Sequence, residues 1–80
     1  MLLPLYGFIA GDVLGLVVLV HDHQTIAELA AVMEQAASMR VAPMRRPRVR
    51  AGGRVLDPAM TVAAARLTPL ERVDLVEEVA

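Results

Sequence analysis

The sequence predicts an α+β fold in which a mixed sheet of four to five strands packs on one helix, and three observations lead to it. Two apolar, strand-like runs open the chain at residues 2–10 and 13–20. An amphipathic helix pattern follows at 25–39, and then come an arginine-rich strand and a closing strand at 72–79. Two strands, a crossing helix and strands that return to the same sheet describe the ubiquitin-like β-grasp. We therefore expect a single ubiquitin-like domain over residues 1–80.

The composition supports one small core and argues against several classes of protein. The 80 residues are 56% hydrophobic, and none is cysteine, so disulfides, thiolate metal sites and a cysteine nucleophile are excluded. No apolar segment approaches the roughly 18 residues of a membrane span, and no basic stretch precedes the first apolar run. We expect a cytoplasmic protein without a signal peptide.

The second strand-like run, residues 13–20, is apolar at both alternating sets of positions. A strand with one face in water alternates apolar and polar side chains, so this pattern predicts a central strand that is covered on both faces. The helix would cover one face, and another protein would supply the second apolar layer. An alternative stays open, namely that Val and Leu are simply good strand formers.

The helix has clear start and stop signals. Thr25 and Glu28 form a Thr-x-x-Glu capping box, and Pro43 prevents continuation, so we expect the helix to end at around 38–41. We interpret Met39, like Met33, as a core residue. Five side chains at helical spacing predict the buried stripe: Ile26, Leu29, Ala30, Met33 and Ala37.

Strand patterns resume after the helix. Because arginine alternates with Pro47, Val49 and Ala51, three guanidinium groups should lie in a row on one face, those of Arg46, Arg48 and Arg50. Pro47 has no N–H to donate, which predicts a sheet edge or a strand start. Gly52–Gly53 then predicts a turn into a short returning strand at 54–56.

The last third of the chain contains two turn signals and one strand. Thr61 can cap a helical turn over residues 62–65, and Thr-Pro-Leu-Glu at 68–71 predicts a turn. Residues 72–76 read as the last strand, with Val73 and Leu75 pointing inward.

Charge is unevenly distributed although the net charge is only −1. Residues 40–54 carry six arginines and no acid, whereas residues 1–39 carry four acids and no lysine or arginine. The chain has no lysine, and it ends in Glu-Glu-Val-Ala instead of Gly-Gly. Both features disfavour a ubiquitin-like modifier or a sulfur carrier.

The basic segment has three interpretations. Nucleic-acid binding is disfavoured, because no aromatic side chain lies within the segment to stack on bases and the net charge is negative. A solvated strand face, protected by its charges from pairing with another edge, is the second. The third is a surface for an acidic partner, since arginine binds carboxylates bidentately. The candidate interface residues are Arg45, Arg46, Arg48, Arg50 and Arg54.

No pattern predicts chemistry in this chain. His21 and His23 would project to the same side of an extended chain, as two metal ligands do, but no cysteine accompanies them and Asp22 points the opposite way. Ser38 is the only serine and has no base near it in the sequence. We expect no catalytic, cofactor-binding or metal-binding residues, and an interaction domain in place of an independent enzyme.

Short motifs along nearly the whole chain carry a family resemblance. They are the opening Pro-Leu-Tyr-Gly-Phe at 4–8, the Arg-Val-Ala-Pro junction at 40–43, the Arg-Val-Arg strand at 48–50, and the ending over 61–74. Together these motifs resemble the toluene-4-monooxygenase system protein B family. The junction followed by the arginine strand is the most specific part, and residues 44–47 match no motif of the family.

The resemblance implies a ubiquitin-like gamma subunit of a soluble, multicomponent bacterial diiron hydroxylase that acts on toluene, related arenes or alkenes. The diiron centre would lie in the large alpha subunit, and electrons would arrive through a Rieske ferredoxin and a flavin reductase. This chain would pack on the alpha subunit, with the beta subunit in the same complex, and would aid assembly or stability. Neither nucleic acid nor a membrane would be a partner.

A second hypothesis belongs to a different class of protein. It is a free-standing β-grasp adaptor that binds an acidic protein partner through Arg46, Arg48 and Arg50.

Overall fold

A computed structural model describes residues 1–78, in which five strands form one mixed sheet and one helix packs on it. The sheet order is β2 (Gly15–His21), β1 (Leu2–Ile9), β5 (Arg72–Glu77), β3 (Pro47–Ala51) and β4 (Arg54–Val55). Strands β1 and β5 are parallel, and the other neighbours are antiparallel. This arrangement confirms the predicted α+β class. The elements in chain order are β1, β2, α1 (Ile26–Ala36), β3, β4 and β5.

The first two strands form a hairpin whose inward side chains are buried under α1. The register pairs Leu3 with Val20 and Leu5 with Val18, and all four side chains are buried. The prediction of a central second strand covered on both faces is wrong, because β2 has a strand neighbour on one side only and lies at the edge of the sheet. Its outward side chains, including Val17, are exposed. In β2, an apolar side chain therefore does not indicate a buried position, because the outward residues are apolar as well and are exposed.

The helix begins where the capping box predicts and ends earlier than expected. Thr25 Oγ1 accepts the Glu28 N–H, and Glu28 in turn accepts the Thr25 N–H. The helix ends at Ala36 because the Ala37 carbonyl accepts the N–H groups of residues 40 and 41, which close a tight turn. Met39 therefore leaves the buried stripe and is 94% exposed, so its predicted core position is wrong.

The core lies between α1 and the inner face of the sheet. The predicted helix stripe, from Ile26 to Ala37, is fully buried and Met33 is completely covered. No polar or charged residue belongs to this core in the part of the chain that the structure describes. The side chains with no solvent exposure are those of Leu5, Leu29, Met33, Val73 and Leu75.

The second half of the chain follows the predicted strands and turns. Pro47 begins β3, and Gly52 and Gly53, with φ of 57° and 78°, form the two-residue loop into β4. Thr61 Oγ1 accepts the Ala64 N–H at 3.0 Å and so caps a short turn over the segment that follows. The turn at 68–71 and the inward Val73 and Leu75 are confirmed. Residue 79, the predicted end of the last strand, lies outside the described residues.

Candidate partner interface

The outer face of the sheet, on the side opposite α1, divides into an apolar half and a charged half. Strand register places the apolar half on β1 and β2 and the charged half on β5 and β3, with Val55 on β4 at the far end. The apolar half comprises Leu2, Pro4, Tyr6, Phe8, Val17 and Leu19. The charged half comprises Arg72, Asp74, Val76, Arg48 and Arg50.

Two stacked aromatic rings form the centre of the apolar half. The Tyr6 and Phe8 ring centroids are 4.9 Å apart, and both rings lean over Gly15 of the neighbouring strand. A Cβ atom at Gly15 would lie 2.5 Å from the Tyr6 ring, so a glycine is required for this close approach. Beside them, Val17 and Leu19 are 62% and 56% exposed. The structure thus leaves a contiguous apolar surface in contact with solvent.

Arg72 joins the two halves of the outer face. Its guanidinium carbon lies 4.1 Å from the centroid of the Phe8 ring, which is a cation–π geometry. The same guanidinium forms an ion pair with Asp74 at 3.1 Å. No local sequence pattern indicates this role of Arg72, because only the parallel pairing of β1 with β5, which sets Tyr6 beside Arg72, brings it to the aromatic rings.

The five candidate interface arginines do not all share one face. Arg48 and Arg50 project from the outer face, and Arg48 pairs with Glu78 at 3.1 Å. Arg46 is exposed just before β3, and Arg45 donates its backbone N–H to Glu77. Arg54 lies opposite Ala51, which points to the helix side, so Arg54 belongs to the other side of the sheet.

An ion pair between the first hairpin and the end of the helix is a second feature that sequence reasoning missed. The Asp12 carboxylate accepts hydrogen bonds from Arg40 Nε at 3.0 Å and from the Leu14 N–H, and its side chain is only 3% exposed. The hydrogen bond from Arg40 lowers the pKa of Asp12 below its usual value of 3.8. The pair ties the β1–β2 turn to the segment after α1.

The described residues offer no constellation for metal binding. The rings of His21 and His23 are stacked with centroids 5.1 Å apart, but no three His, Cys, Asp or Glu side chains come together anywhere in residues 1–78. Ser38 donates its hydroxyl hydrogen to the Gln35 carbonyl at 2.9 Å, as an exposed group at the helix end. No helix within the described part of the chain is long and apolar enough to cross a membrane.

A family match covers almost the whole chain. The sequence profile described as Toluene-4-monooxygenase system protein B (TmoB) matches residues 2–76. The chain belongs to this family. It is therefore a subunit of a monooxygenase system of that type, as the motifs at both ends and the Arg-Val-Ala-Pro junction indicated.

Solved structures support both the TmoB family and the fold. A chain of the toluene 4-monooxygenase HD complex with the inhibitor 4-bromobenzoate is 27% identical with a TM-score of 0.91, and the match covers 98% of this chain and 100% of that one. A de novo designed protein based on ubiquitin is 25% identical, with a TM-score of 0.82 and coverages of 99% and 92%. Caldiarchaeum subterraneum ubiquitin, at 16% identity, a TM-score of 0.77 and coverages of 100% and 98%, shows the fold alone. No significant match was found among curated proteins.

Proposed function

We propose that this TmoB-family chain is the non-catalytic accessory (gamma) subunit of a soluble diiron hydrocarbon monooxygenase. It packs on the large alpha subunit as one ubiquitin-like domain over residues 1–80, with a beta subunit in the same cytoplasmic complex, and it aids assembly or stability. The diiron centre belongs to the large subunit. The observation that carries the proposal is the end-to-end match with a chain of the toluene 4-monooxygenase HD complex, at 27% identity.

The composition of the outer face supports a docking role. Aromatic side chains and arginine are enriched at protein interfaces, and this face combines stacked Tyr6 and Phe8 with Arg72, Arg48 and Arg50. A domain of 80 residues has a small core and depends on the apolar side chains that it buries. A contiguous apolar surface left in water therefore indicates a site for a protein partner.

The arginines supply orientation more than affinity. In this proposal Arg46, Arg48 and Arg50, with Arg45 nearby, face carboxylates of the large subunit, whereas Arg54, on the helix side of the sheet, lies outside this surface. Exposed ion pairs contribute only ~0.2–1 kcal/mol each, so their main effect is on encounter rate and on the choice of partner.

Co-expression of the chain with the alpha and beta subunits of its own system tests the proposal. We expect the tagged chain to copurify with the large subunit in near-equal amount and with bound iron, and the complex that lacks the chain to unfold at lower temperature. A complex without the chain that is equally stable and equally active would contradict the assembly role. A chain that purifies alone and free of iron would support the adaptor hypothesis instead.

A further inference from the structure

The free edge of β2 exposes a row of backbone hydrogen-bonding groups. The Asp22 N–H donates to the Met1 carbonyl at 2.9 Å, and residues of an antiparallel pair point alternately toward and away from their partner strand. The backbone N–H and C=O groups of Gly15, Val17 and Leu19 consequently point away from β1. At the end of the strand, the backbone groups of His21 already have partners within the chain, because its N–H donates to Gln24 Oε1 and its carbonyl accepts the Gln24 N–H.

This edge lacks the features that usually protect a sheet from pairing with another chain. β2 has no charged residue and no proline, and its seven register pairs with β1 run without a bulge. The opposite edge is different, since β4 has two residues and one of them is Arg54. The β2 edge is therefore longer than the β4 edge and contains no Asp, Glu, Lys or Arg.

The side chains along the free edge determine which kind of segment could pair with β2. Val17 and Leu19 face outward, beside Tyr6 and Pro4 of β1, and both are more than half exposed. A strand added to β2 would place every second side chain against these two and so extend the apolar half of the outer face. The complementary segment is extended, uncharged and apolar at alternate positions.

We propose that the β2 edge binds an extended segment of the monooxygenase large subunit by strand addition. The inference rests on the proposed function, which supplies the partner; the hydrogen-bonding edge supplies the mode of binding. We assign the edge to the large subunit in preference to a second copy, because the structure that matches at 27% identity is a chain of the toluene 4-monooxygenase HD complex. The apolar half of the outer face is then covered together with the edge.

A pair of matched proline variants tests this mode of binding. Val17→Pro removes an N–H that β1 does not use, so the hairpin keeps its ladder while an added strand loses a hydrogen bond and meets the proline ring. Val55→Pro is the control. Leu56 donates to the Val49 carbonyl, so the N–H of Val55 also points away from its sheet, and Val55 is 56% exposed on the outer face.

The variants are co-expressed with the alpha and beta subunits, and the amount retained on the large subunit is measured beside the wild-type chain. We expect Val17→Pro to reduce retention at least about tenfold and Val55→Pro to leave it within about twofold. Circular dichroism of each isolated chain checks folding, and Leu19→Lys, which adds a charge to the same edge without a backbone change, should reduce retention as well.

Hydrogen exchange gives an independent readout on the unmodified complex. We expect the amides of Val17 and Leu19 to exchange rapidly in the isolated chain and to be protected in the complex. Normal retention of both Val17→Pro and Leu19→Lys, or fast exchange of these amides in the complex, would overturn strand addition and leave the proposed function intact. Failure of the wild-type chain to copurify would overturn the proposed function itself. A wild-type dimer that Val17→Pro converts to a monomer would overturn the inference in favour of a second copy.

Discussion

Asp12 illustrates how one side chain secures a contact that no local pattern reveals. Its carboxylate is almost completely covered and lies 28 residues from Arg40, the residue that donates to it. The charged form is stabilised by that hydrogen bond, which lowers the pKa of Asp12 in the folded state. A folded-state pKa below the usual value means that protonation of Asp12 favours unfolding.

Asp12→Asn should therefore be destabilising at neutral pH and less so in acid. The contribution of the pair is fully present well above the usual pKa of 3.8 and is lost as the pH falls through the lower folded-state pKa. We expect the difference in unfolding free energy between wild type and Asp12→Asn to shrink below pH 3.8, measured by urea titration. Asp57→Asn is the control, since the Asp57 carboxylate accepts the Ala59 N–H, which an amide oxygen can also accept. A difference that stays constant with pH would contradict the role of Arg40.

Gly15 controls the position of the aromatic pair. Gly15→Ala would place a Cβ within 2.5 Å of the Tyr6 ring and 3.0 Å of the Phe8 ring, so the rings must move. We expect a loss of about 1 kcal/mol or more in unfolding free energy and a changed near-UV circular dichroism band, which reports on Tyr6 as the only tyrosine of the chain.

The double variant Tyr6→Ala with Gly15→Ala checks that cause. If the ring is the obstacle, the effect of Gly15→Ala should largely disappear once Tyr6 is truncated, which a double-mutant cycle would measure. Additive effects of the two substitutions would contradict the steric explanation.

The helix shows why the two methionines assigned to the core have different fates. Both fit an apolar pattern, but α1 ends at Ala36, and the chain then turns away from the core. Met33 remains on the buried face and is fully covered, whereas Met39 lies in the turn. Helix length, which depends on the hydrogen bonds to the Ala37 carbonyl, decided the outcome.

Met33→Ala and Met39→Ala form a matched pair of substitutions. We expect Met33→Ala to lower the unfolding free energy by about 2–5 kcal/mol, because it leaves a cavity between α1 and the sheet. Met39→Ala should change it by less than about 0.5 kcal/mol. Thermal or urea unfolding of the isolated chains measures both, and a large effect at Met39 would contradict the observed helix end.

In the proposed complex, the outer face as a whole combines two kinds of contact in one docking surface. Its apolar half and the free edge of β2 supply buried area and backbone hydrogen bonds, while Arg48, Arg50 and Arg72 lie beside them on β3 and β5. Burial of the apolar half would provide most of the affinity, and the arginines would select a partner surface with carboxylates at its border.

Arg50→Gln compared with Arg66→Gln tests the charged half. Arg50 lies on the outer face, whereas Arg66 lies in the exposed turn before β5, and each substitution removes one positive charge. We expect Arg50→Gln to weaken binding to the large subunit about two- to fivefold at low salt and to reduce its salt dependence. Binding titrations at two ionic strengths measure the effect. Equal affinity and equal salt dependence of the two variants would contradict the placement of Arg50 in the interface.

Local signals in the sequence determined much of the fold. The Thr25–Glu28 box set the helix start, Gly52–Gly53 set the second hairpin, and alternation of Val73 and Leu75 with Arg72 and Asp74 set the last strand. Each of these depends on residues within a few positions of one another, so sequence spacing is sufficient to recognise it. Family motifs spread along the chain likewise identified the family.

Only the tertiary structure decided where these elements meet. Parallel pairing of β1 with β5 brings Arg72 to Phe8, places β2 at the edge, and separates Arg54 from Arg48 and Arg50. Strand order is set by contacts between residues far apart in the chain, and the free energy of those contacts depends on the whole packed core and not on any local pattern. The sequence by itself thus determined the order of the elements, the inward faces of α1 and β5 and the family, while the faces of β2 and the shape and composition of the proposed docking surface depended on the assembled sheet.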